Sequence, residues 1–276
     1  MEIPKIPLAE WVESFVSYMQ DAFEPVFDTI ANGIGGFVDF FVMILNVIPA
    51  LILILVLAGI AFWVSRWTIG LFTFLGLALI YNLGYWEPML DTLALVITSV
   101  IISILIGVPI GIWMSQSNRV QAVLTPILDF MQTMPAFVYL IPSILFFGIG
   151  LVPGIISSVI FAMPPTIRLT NLGIRQVPKD LVEAADAFGS TTGQKLFKVQ
   201  LPLATSTIFA GINQSIMLSL SMVVIASLVG APGLGSDVYR AVTQIKVGVG
   251  FEAGLSIVIL AIILDRISQN INRKNN

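Results

Sequence analysis

Long apolar stretches without charged residues make up most of the chain, and polar segments separate them. Because a helix needs about 20 apolar residues to cross a bilayer, each charge-free stretch of that size predicts a membrane-spanning helix. The interval from Asp129 to Arg168 is too long for one crossing, and its glycines and proline at 148–154 divide it into two helices. The pattern predicts seven spans, lying within about 46–65, 66–87, 91–119, 129–148, 153–168, 205–229 and 250–269.

The N-terminal segment has a different pattern. From Leu8 to about Phe37, apolar residues recur at helical spacing, and acidic residues fall between them, namely Glu10, Glu13, Asp21, Glu24 and Asp28. This periodicity predicts an amphipathic helix. Such a helix either lies at the membrane interface or packs on the body of the protein, and the sequence leaves both arrangements open.

Composition agrees with a membrane protein and narrows the chemistry. Charged residues make up 11% of the chain and hydrophobic residues 57%, whereas soluble domains carry about 25% charged residues. The sequence has no His and no Cys, which excludes zinc, haem and iron–sulfur sites built on these ligands, and also the Ser-His-Asp and Cys-His catalytic groups. We therefore expect an all-α polytopic membrane protein with no catalytic residues, metal site or cofactor of its own, and no nucleic-acid partner.

Basic residues predict the orientation of the chain, because they concentrate in cytoplasmic loops. If the polar loop from Arg175 to Lys198 is cytoplasmic, alternation of the spans leaves only three of the 13 basic residues outside: Lys5, Arg240 and Lys246. The acidic N-terminal segment then also lies outside. We expect a multi-pass protein of the cell (cytoplasmic) membrane with its N-terminus outside and its C-terminus in the cytoplasm.

The longest polar loop between spans, residues 177–205, predicts two short helices. Pro178 ends the preceding helix, and Asp180 is expected to cap the first short helix together with Glu183. Gly189 suits the left-handed position that follows a helix end. The second short helix is expected to begin at one of three hydroxyl residues, Ser190, Thr191 or Thr192, and Leu201-Pro202 is expected to start the next span.

This loop resembles the EAA signature of the permease subunits of ABC importers, in which E-A-A, three residues, G and nine residues precede I-x-L-P. The matching residues are Glu183, Ala184, Ala185, Gly189, Leu201 and Pro202, and Val199 stands where the family usually has Ile. The resemblance implies a type I (MetI-like) five-helix core at 91–276, preceded by an N-terminal segment at 1–45 and two additional transmembrane helices at 46–90. It also implies that residues 175–204 form a cytoplasmic coupling loop that sits in a groove of an ATPase subunit.

Four stretches, at 84–96, 125–142, 161–178 and 210–235, are similar to permeases of glycine betaine/proline betaine uptake systems. This resemblance implies an ATP-driven importer of glycine betaine or a related quaternary-ammonium compatible solute for osmoprotection. The chain would form a homodimer with two ATP-binding subunits below it and a separate extracellular solute-binding protein above. The sequence leaves choline, carnitine and proline open as substrates, and an ion-coupled secondary transporter or a scaffold without transport remains an alternative.

One segment looks like a phosphate-binding loop but lacks its chemistry. Residues 189–196 read G-S-T-T-G-Q-K-L, whereas a P-loop needs Gly, Lys and Ser/Thr in succession. Gln194 separates Gly193 from Lys195, and Leu196 follows. ATP and Mg are therefore expected on the partner ATPase, not on this chain.

Candidates for the substrate pathway are aromatic and polar residues near the expected pore helices. A quaternary ammonium group has no N–H to donate, so aromatic faces hold it, and the aromatic candidates are Phe137, Tyr139, Phe146 and Phe147. Polar side chains line water or bind a carboxylate, and the polar candidates are Gln132, Thr133, Asn213, Gln214 and Ser215. Ordinary packing remains the alternative for each of them.

Overall fold

The computed structural model describes residues 7–274, and within that range it is built from helices and turns without a strand. The expected all-α class is confirmed. The helices are α1 Leu8–Val47, α2 Ala50–Val64, α3 Trp67–Asn82, α4 Trp86–Gln116, α5 Asn118–Thr133, α6 Leu140–Phe147, α7 Leu151–Arg175, α8 Lys179–Ala187, α9 Thr192–Lys195, α10 Leu201–Ala226, α11 Leu234–Thr243 and α12 Val247–Lys274. Short 3₁₀ turns occupy Ala136–Tyr139 and Ser227–Val229, and a π-helical turn covers Leu196–Gln200.

The centre of the molecule is formed by α4, α7 and α10, which pack against one another over most of their lengths. Small residues allow their backbones to come close, as is usual where helices meet in a membrane. A Cβ atom added at Gly111 of α4 would lie 2.6 Å from Cβ of Thr170 on α7, and one added at Gly211 of α10 would lie 3.1 Å from the carbonyl oxygen of Pro165. The GxxxG spacing of Gly107 and Gly111 therefore serves packing.

Hydroxyl groups link the same helices inside this bundle. Ser215 on α10 donates to the carbonyl of Ala162 on α7 at 2.5 Å, and its Oγ lies 2.7 Å from Oγ1 of Thr166. All three residues are buried. Such bonds between membrane helices contribute about 0.6 kcal/mol each. They therefore fix the position of α10 along α7 more than they add to the stability of the bundle.

Helix length separates two kinds of apolar helix in the described residues. Five helical segments are long and apolar enough to cross a membrane: α1, α4, α7, the continuous run Thr192–Val229, and α12. The helices α2 and α3 have only 15 and 16 residues, fewer than the about 20 needed for a straight crossing. Two helices do occur where two additional spans were expected, and their crossing of the membrane stays a prediction.

One helix was expected between Asp129 and the break near Gly148, and its continuity is wrong. Helix α5 ends at Thr133, and the following helical segment from Ala136 to Phe147 is turned by 106°. Pro135 explains the break, because proline lacks an N–H for the helix and disfavours helical backbone in the residue before it. Met134 accordingly has extended backbone with φ −68° and ψ 135°.

The N-terminal helix α1 is longer than its pattern predicted. It runs for 40 residues to Val47, past its expected end near Phe37. Large apolar side chains of its first half are exposed, including Trp11 and Phe15, whereas Val38 in the second half is buried against the core. Helix α1 contacts the rest of the chain through Val38 and through the ring of Phe27, which stacks on Phe146 of α6.

Candidate coupling segment and substrate pathway

The first short helix of the polar loop, α8, begins at Lys179, two residues earlier than a cap at Asp180 would place its start. Pro178 occupies the N-cap position, and no side chain caps the helix there. The expected cap by Asp180 is therefore wrong, because Asp180 lies within the first turn. A carboxylate in the first turn still stabilises the helix through the positive end of the helix dipole.

The end of α8 follows the expectation in detail. Gly189 has φ +75°, a backbone conformation that glycine adopts without strain. The N–H of Gly189 donates to the carbonyl of Asp186 at 2.9 Å, and the N–H of Ser190 donates to that of Ala185 at 3.0 Å. These two bonds form a Schellman motif, so the left-handed C′ glycine is confirmed and the chain turns sharply after α8.

The second short helix, α9, begins with a capping box at Thr191. The N–H of Gln194 donates to Oγ1 of Thr191 at 3.3 Å, and the N–H of Thr191 donates to Oε1 of Gln194 at 2.9 Å. The expectation of a hydroxyl cap is confirmed. Helix α9 then continues through the π-helical turn into α10, so Leu201 starts regular α-helix without a break in the chain direction.

An ion pair joins the two short helices into one unit. Nζ of Lys195 lies 2.8 Å from Oδ1 of Asp186, and the Lys195 side chain is only 20% exposed. Together with the Schellman motif and the capping box, this contact fixes the angle between α8 and α9. We call residues 178–200 the coupling segment.

The signature residues lie on the surface of the coupling segment or at its base. Glu183, Ala184, Gly189 and Pro202 are exposed, whereas Ala185, Val199 and Leu201 are partly buried. Three large apolar side chains are also exposed: Leu181, Phe197 and, at 92%, Phe188. Phe188 lies between E-A-A and Gly189 and was missed by the sequence analysis. The sequence feature that could have identified it is an aromatic residue at the end of a predicted helix in an otherwise polar loop.

Arg175 fixes the base of the coupling segment to the core. Its guanidinium donates to Oδ1 of Asn171 at 2.9 Å, to Oδ1 of Asn118 at 2.8 Å and to the carbonyl of Met114 at 3.0 Å. Those groups belong to α7, to the start of α5 and to the end of α4. Because Arg175 is the last residue of α7, these bonds join the end of α7, just before the coupling segment, to α4 and α5.

Three of the pathway candidates share one cavity. Gln132 of α5 and Asn213 and Gln214 of α10 line a space of about 550 Å³. Asp265 and Gln269 of α12 line the same cavity and were missed as pathway candidates. The available signal was a carboxylate within the last apolar helix, because ionisable residues there are rare and mark functional sites.

The other candidates lie elsewhere. Ser215 is buried in the α7–α10 contact, and the Tyr139 hydroxyl, also buried, donates to the carbonyl of Met131. Phe146 and Phe147 pack on Phe27 of α1, with ring centroids 4.6 and 5.6 Å apart. The side chains of Thr133 and Phe137 are exposed. None of these six residues lines the cavity described above, and their place in a pathway stays a prediction.

The part of the chain that the structure describes has no group of three or more Asp or Glu residues placed to hold a metal ion. The candidate site residues carry apolar, hydroxyl, amide or singly charged side chains, which are suited to binding through packing, hydrogen bonds and charge.

A family model described as binding-protein-dependent transport system inner membrane component matches residues 103–276. The chain belongs to this family. Two curated relatives extend the similarity over nearly the whole chain. It is 65% identical to the glycine betaine transport system permease protein OpuAB of Bacillus subtilis (strain 168), over 99% of this chain and 96% of the relative. It is 58% identical to the glycine betaine/carnitine transport permease protein GbuB of Listeria monocytogenes serotype 1/2a (strain 10403S), over 99% and 98%.

Solved structures support the fold of this permease family. A chain of the inward-facing MetNI methionine ABC transporter superimposes with a TM-score of 0.65 at 22% identity, covering 70% of this chain and 96% of that chain. The expected MetI-like fold is confirmed, and so is the expected resemblance to glycine betaine permeases. The protein is thus a membrane-bound permease subunit of the ABC importer type.

Proposed function

We propose that this chain is the translocation subunit of an ATP-driven importer for glycine betaine or a related quaternary-ammonium solute used in osmoprotection. The observation that carries the proposal is the coupling segment, a braced pair of short helices that presents the EAA signature and an exposed Phe188. An aromatic side chain that is 92% exposed stabilises nothing within this chain. It fits the groove of a partner protein, where buried aromatic residues contribute most of the binding energy.

The energy for transport comes from a partner. No lysine of this sequence follows a glycine, so the chain lacks a P-loop that would hold nucleotide phosphates. ATP and Mg are bound by two ATPase subunits, each docked on the coupling segment of one permease chain in a homodimer. The family description, a binding-protein-dependent system, supports a separate solute-binding protein on the outer side.

The mechanism follows from how the coupling segment is attached. When ATP draws the two ATPase subunits together, each coupling segment moves with its subunit. Arg175, the last residue of α7, passes this movement to α4 and α5 through its hydrogen bonds with Met114 and Asn118. The pathway between the two permease chains then opens outward to receive the solute, and hydrolysis returns it to the inward-facing state.

The proposed substrate class rests on the names of two similar proteins. Glycine betaine appears in the names of both relatives that match almost the full chain. Carnitine is the second candidate, because it appears in the name of GbuB. Both solutes are zwitterions with a trimethylammonium group. Choline and proline are the remaining alternatives.

The proposed orientation places the coupling segment in the cytoplasm and the N-terminus outside. Ten of the 13 basic residues then lie on the cytoplasmic side, in agreement with the preference of Lys and Arg for cytoplasmic loops. Residues 8–28 of α1 include five acidic residues and lie along the outer surface of the membrane.

The test is uptake into proteoliposomes that contain this chain, its ATPase subunit and its binding protein. Radiolabelled glycine betaine, carnitine, choline and proline are compared with and without internal ATP. We expect glycine betaine to accumulate only with ATP. Accumulation driven by an ion gradient in membranes that lack the ATPase subunit would instead identify a secondary transporter.

Two variants test the coupling segment in the same vesicles. Glu183→Arg reverses an exposed charge in the signature, and Gly189→Pro removes the N–H that donates to Asp186 and forbids the positive φ. We expect both to abolish uptake and solute-stimulated ATP hydrolysis while the protein still inserts. The control Glu24→Arg reverses an exposed charge on α1 and should keep uptake. Wild-type uptake in either test variant would contradict the coupling role.

A further inference from the structure

An ion pair lies on the surface of two core helices. Nη2 of Arg168 on α7 is 2.5 Å from Oδ1 of Asp129 on α5, and the two side chains are 35% and 58% exposed. Both helices belong to the core of a membrane protein, where exposed charges facing lipid are strongly unfavourable. The pair therefore faces water or a second copy of the chain.

This ion pair lies one helical turn from residues that line the 550 Å³ cavity. Gln132 follows Asp129 by three residues on α5, and Pro165 precedes Arg168 by three residues on α7. Residues three apart are neighbours on one helix face, and both Gln132 and Pro165 line the cavity. The ion pair thus lies on the faces of α5 and α7 that turn toward the cavity, and α10 and α12 complete its lining.

Two polar atoms of this surface have unused hydrogen-bonding capacity. Among the described residues, Nε of Arg168 and Oδ1 of Asn213 are buried and have no hydrogen-bond partner. Buried polar groups are normally paired. A donor and an acceptor left without partners at one surface indicate a place where a polar ligand completes the hydrogen bonds.

The charges of this surface come in both signs. Arg168 provides one positive charge, and Asp129 and Asp265 provide two negative ones. Arg168 also has a planar guanidinium that is suited to a carboxylate. A quaternary ammonium group has no N–H, so a carboxylate attracts it through charge alone and does not need a directed bond. The thioether of Met217 and the side chain of Leu218 add soft apolar lining for methyl groups.

We propose that Arg168, Asp129 and Asp265, with the amides of Gln132 and Asn213, form a transit site for a small zwitterion inside the permease. Arg168 exchanges its bond with Asp129 for the carboxylate of the solute, and the aspartates hold the quaternary ammonium end. This inference rests on the proposed function and adds a site toward the cytoplasmic end of the core helices that the solute occupies on its way through.

The transit site is built for weak binding. Gln132 is exposed and Asn213 only partly buried, and no aromatic residue lines the cavity among the described residues. A pathway site must bind strongly enough to admit the solute and weakly enough to release it. Tight binding of the solute is then the task of the separate solute-binding protein.

The experiment measures solute uptake and ATP hydrolysis together in the proteoliposomes described above. Arg168→Gln and Asp265→Asn each remove one charge, and Arg168→Lys and Asp265→Glu keep it. We expect the two neutral variants to import at least tenfold less glycine betaine per ATP hydrolysed, with ATP hydrolysis within twofold of wild type. The charge-conserving variants should recover most of the uptake. The matched control is Glu252→Gln, which removes a carboxylate from the same helix α12 outside the site and should keep wild-type uptake.

A charge swap separates ligand binding from a structural role. The double variant Asp129→Arg with Arg168→Asp restores the ion pair with reversed polarity. If the pair only holds α5 against α7, the swap restores uptake, and the proposal is overturned. If the pair binds the solute, the swapped protein assembles with its ATPase but still fails to import.

The outcomes distinguish this inference from the proposed function. A wild-type complex that imports none of the zwitterions would overturn both. A wild-type complex that imports glycine betaine, with Arg168→Gln and Asp265→Asn variants that import equally well, would overturn the transit site alone. Loss of assembly and of ATP hydrolysis in both neutral variants and in the charge swap would assign these residues to folding and would also overturn it.

Discussion

Glycine at position 111 sets how closely α4 approaches α7. The atoms that a Cβ would meet there are Cβ of Thr170 and the carbonyl oxygen of Ile167, at 2.6 and 2.7 Å. Backbone and β-carbon atoms cannot rotate away, unlike the far end of a flexible side chain. Any larger residue at this position forces the two helices apart.

We expect Gly111→Ala to lower the free energy of unfolding by about 1–3 kcal/mol, the usual effect of overpacking a close contact. Thermal unfolding of the purified protein in detergent measures it. The control is Gly59→Ala in α2, where no atom lies within 4 Å of the added Cβ and where alanine favours the helix by about 0.5–1 kcal/mol. Equal effects of the two substitutions would contradict the packing argument.

At the scale of elements, the coupling segment is held by local contacts. The Schellman motif, the capping box and the Lys195–Asp186 ion pair all join residues that are close in sequence. These contacts fix the angle between α8 and α9, and Leu196 packs the segment on Ile174 of α7 and Ala204 of α10. The proposed coupling role needs a segment that moves as one body and exposes apolar side chains to the ATPase subunit.

We expect Phe188→Ala to weaken the binding of the ATPase subunit at least tenfold, which corresponds to about 1.4 kcal/mol, because an exposed aromatic anchor is lost. Titration of labelled ATPase subunit against the purified permease measures this. The fold should be unaffected, since the side chain is 92% exposed. The control variant is Phe251→Ala, which removes a phenyl ring that is 70% exposed near the start of α12. This variant should bind the ATPase subunit as wild type does. Equal affinities for all three proteins would contradict the anchor role.

At the scale of the whole molecule, α1 decides which side of the membrane the N-terminus occupies. Its 40 residues include a window apolar enough for a span, whereas its first half carries acidic residues and exposed aromatic side chains. An acidic, amphipathic half-helix is suited to an interface. The proposed orientation therefore has α1 lying on the outer side instead of crossing.

The absence of cysteine from the sequence makes a labelling test of this orientation clean. Single cysteines are placed at Ser17 in α1, at Thr192 in the coupling segment and at Thr243 in α11, all of which are exposed. In right-side-out vesicles, we expect a membrane-impermeant maleimide to label Ser17→Cys and Thr243→Cys, and to label Thr192→Cys only after permeabilisation. Protection of Ser17→Cys alone would place α1 across the membrane and the N-terminus inside.

The coupling segment was largely predictable from sequence, because its structure depends on neighbours along the chain. A glycine at C′ and a hydroxyl residue with Gln194 three positions later each specify a local backbone conformation. The cap expected at Asp180 failed for an equally local reason, since Pro178 is pre-set for a helix start and took that position. The break at Pro135 carried a local signal too, but the length of the apolar stretch outweighed it in the prediction.

The pathway residues were less predictable, because their roles depend on residues distant in sequence. Nothing near Ser215 shows that its hydroxyl meets Ala162 and Thr166 on another helix. Likewise, the stacking of Phe146 on Phe27 follows from the path of α1 across the surface. A helical pattern identifies which residues share a face, but not which neighbour that face meets.

Periodicity and composition were enough to establish a helical membrane protein, because placing polar groups in lipid has a general cost. With the family resemblance they also identified a permease, and the local shape of residues 178–200 followed from interactions within that one stretch of chain. The three-dimensional fold alone brought Asp265 of α12 to the cavity that Gln132 and Asn213 line, and set Arg168 against Asp129. These groups are far apart in sequence, and only the packing of helices through small residues determines which of them meet.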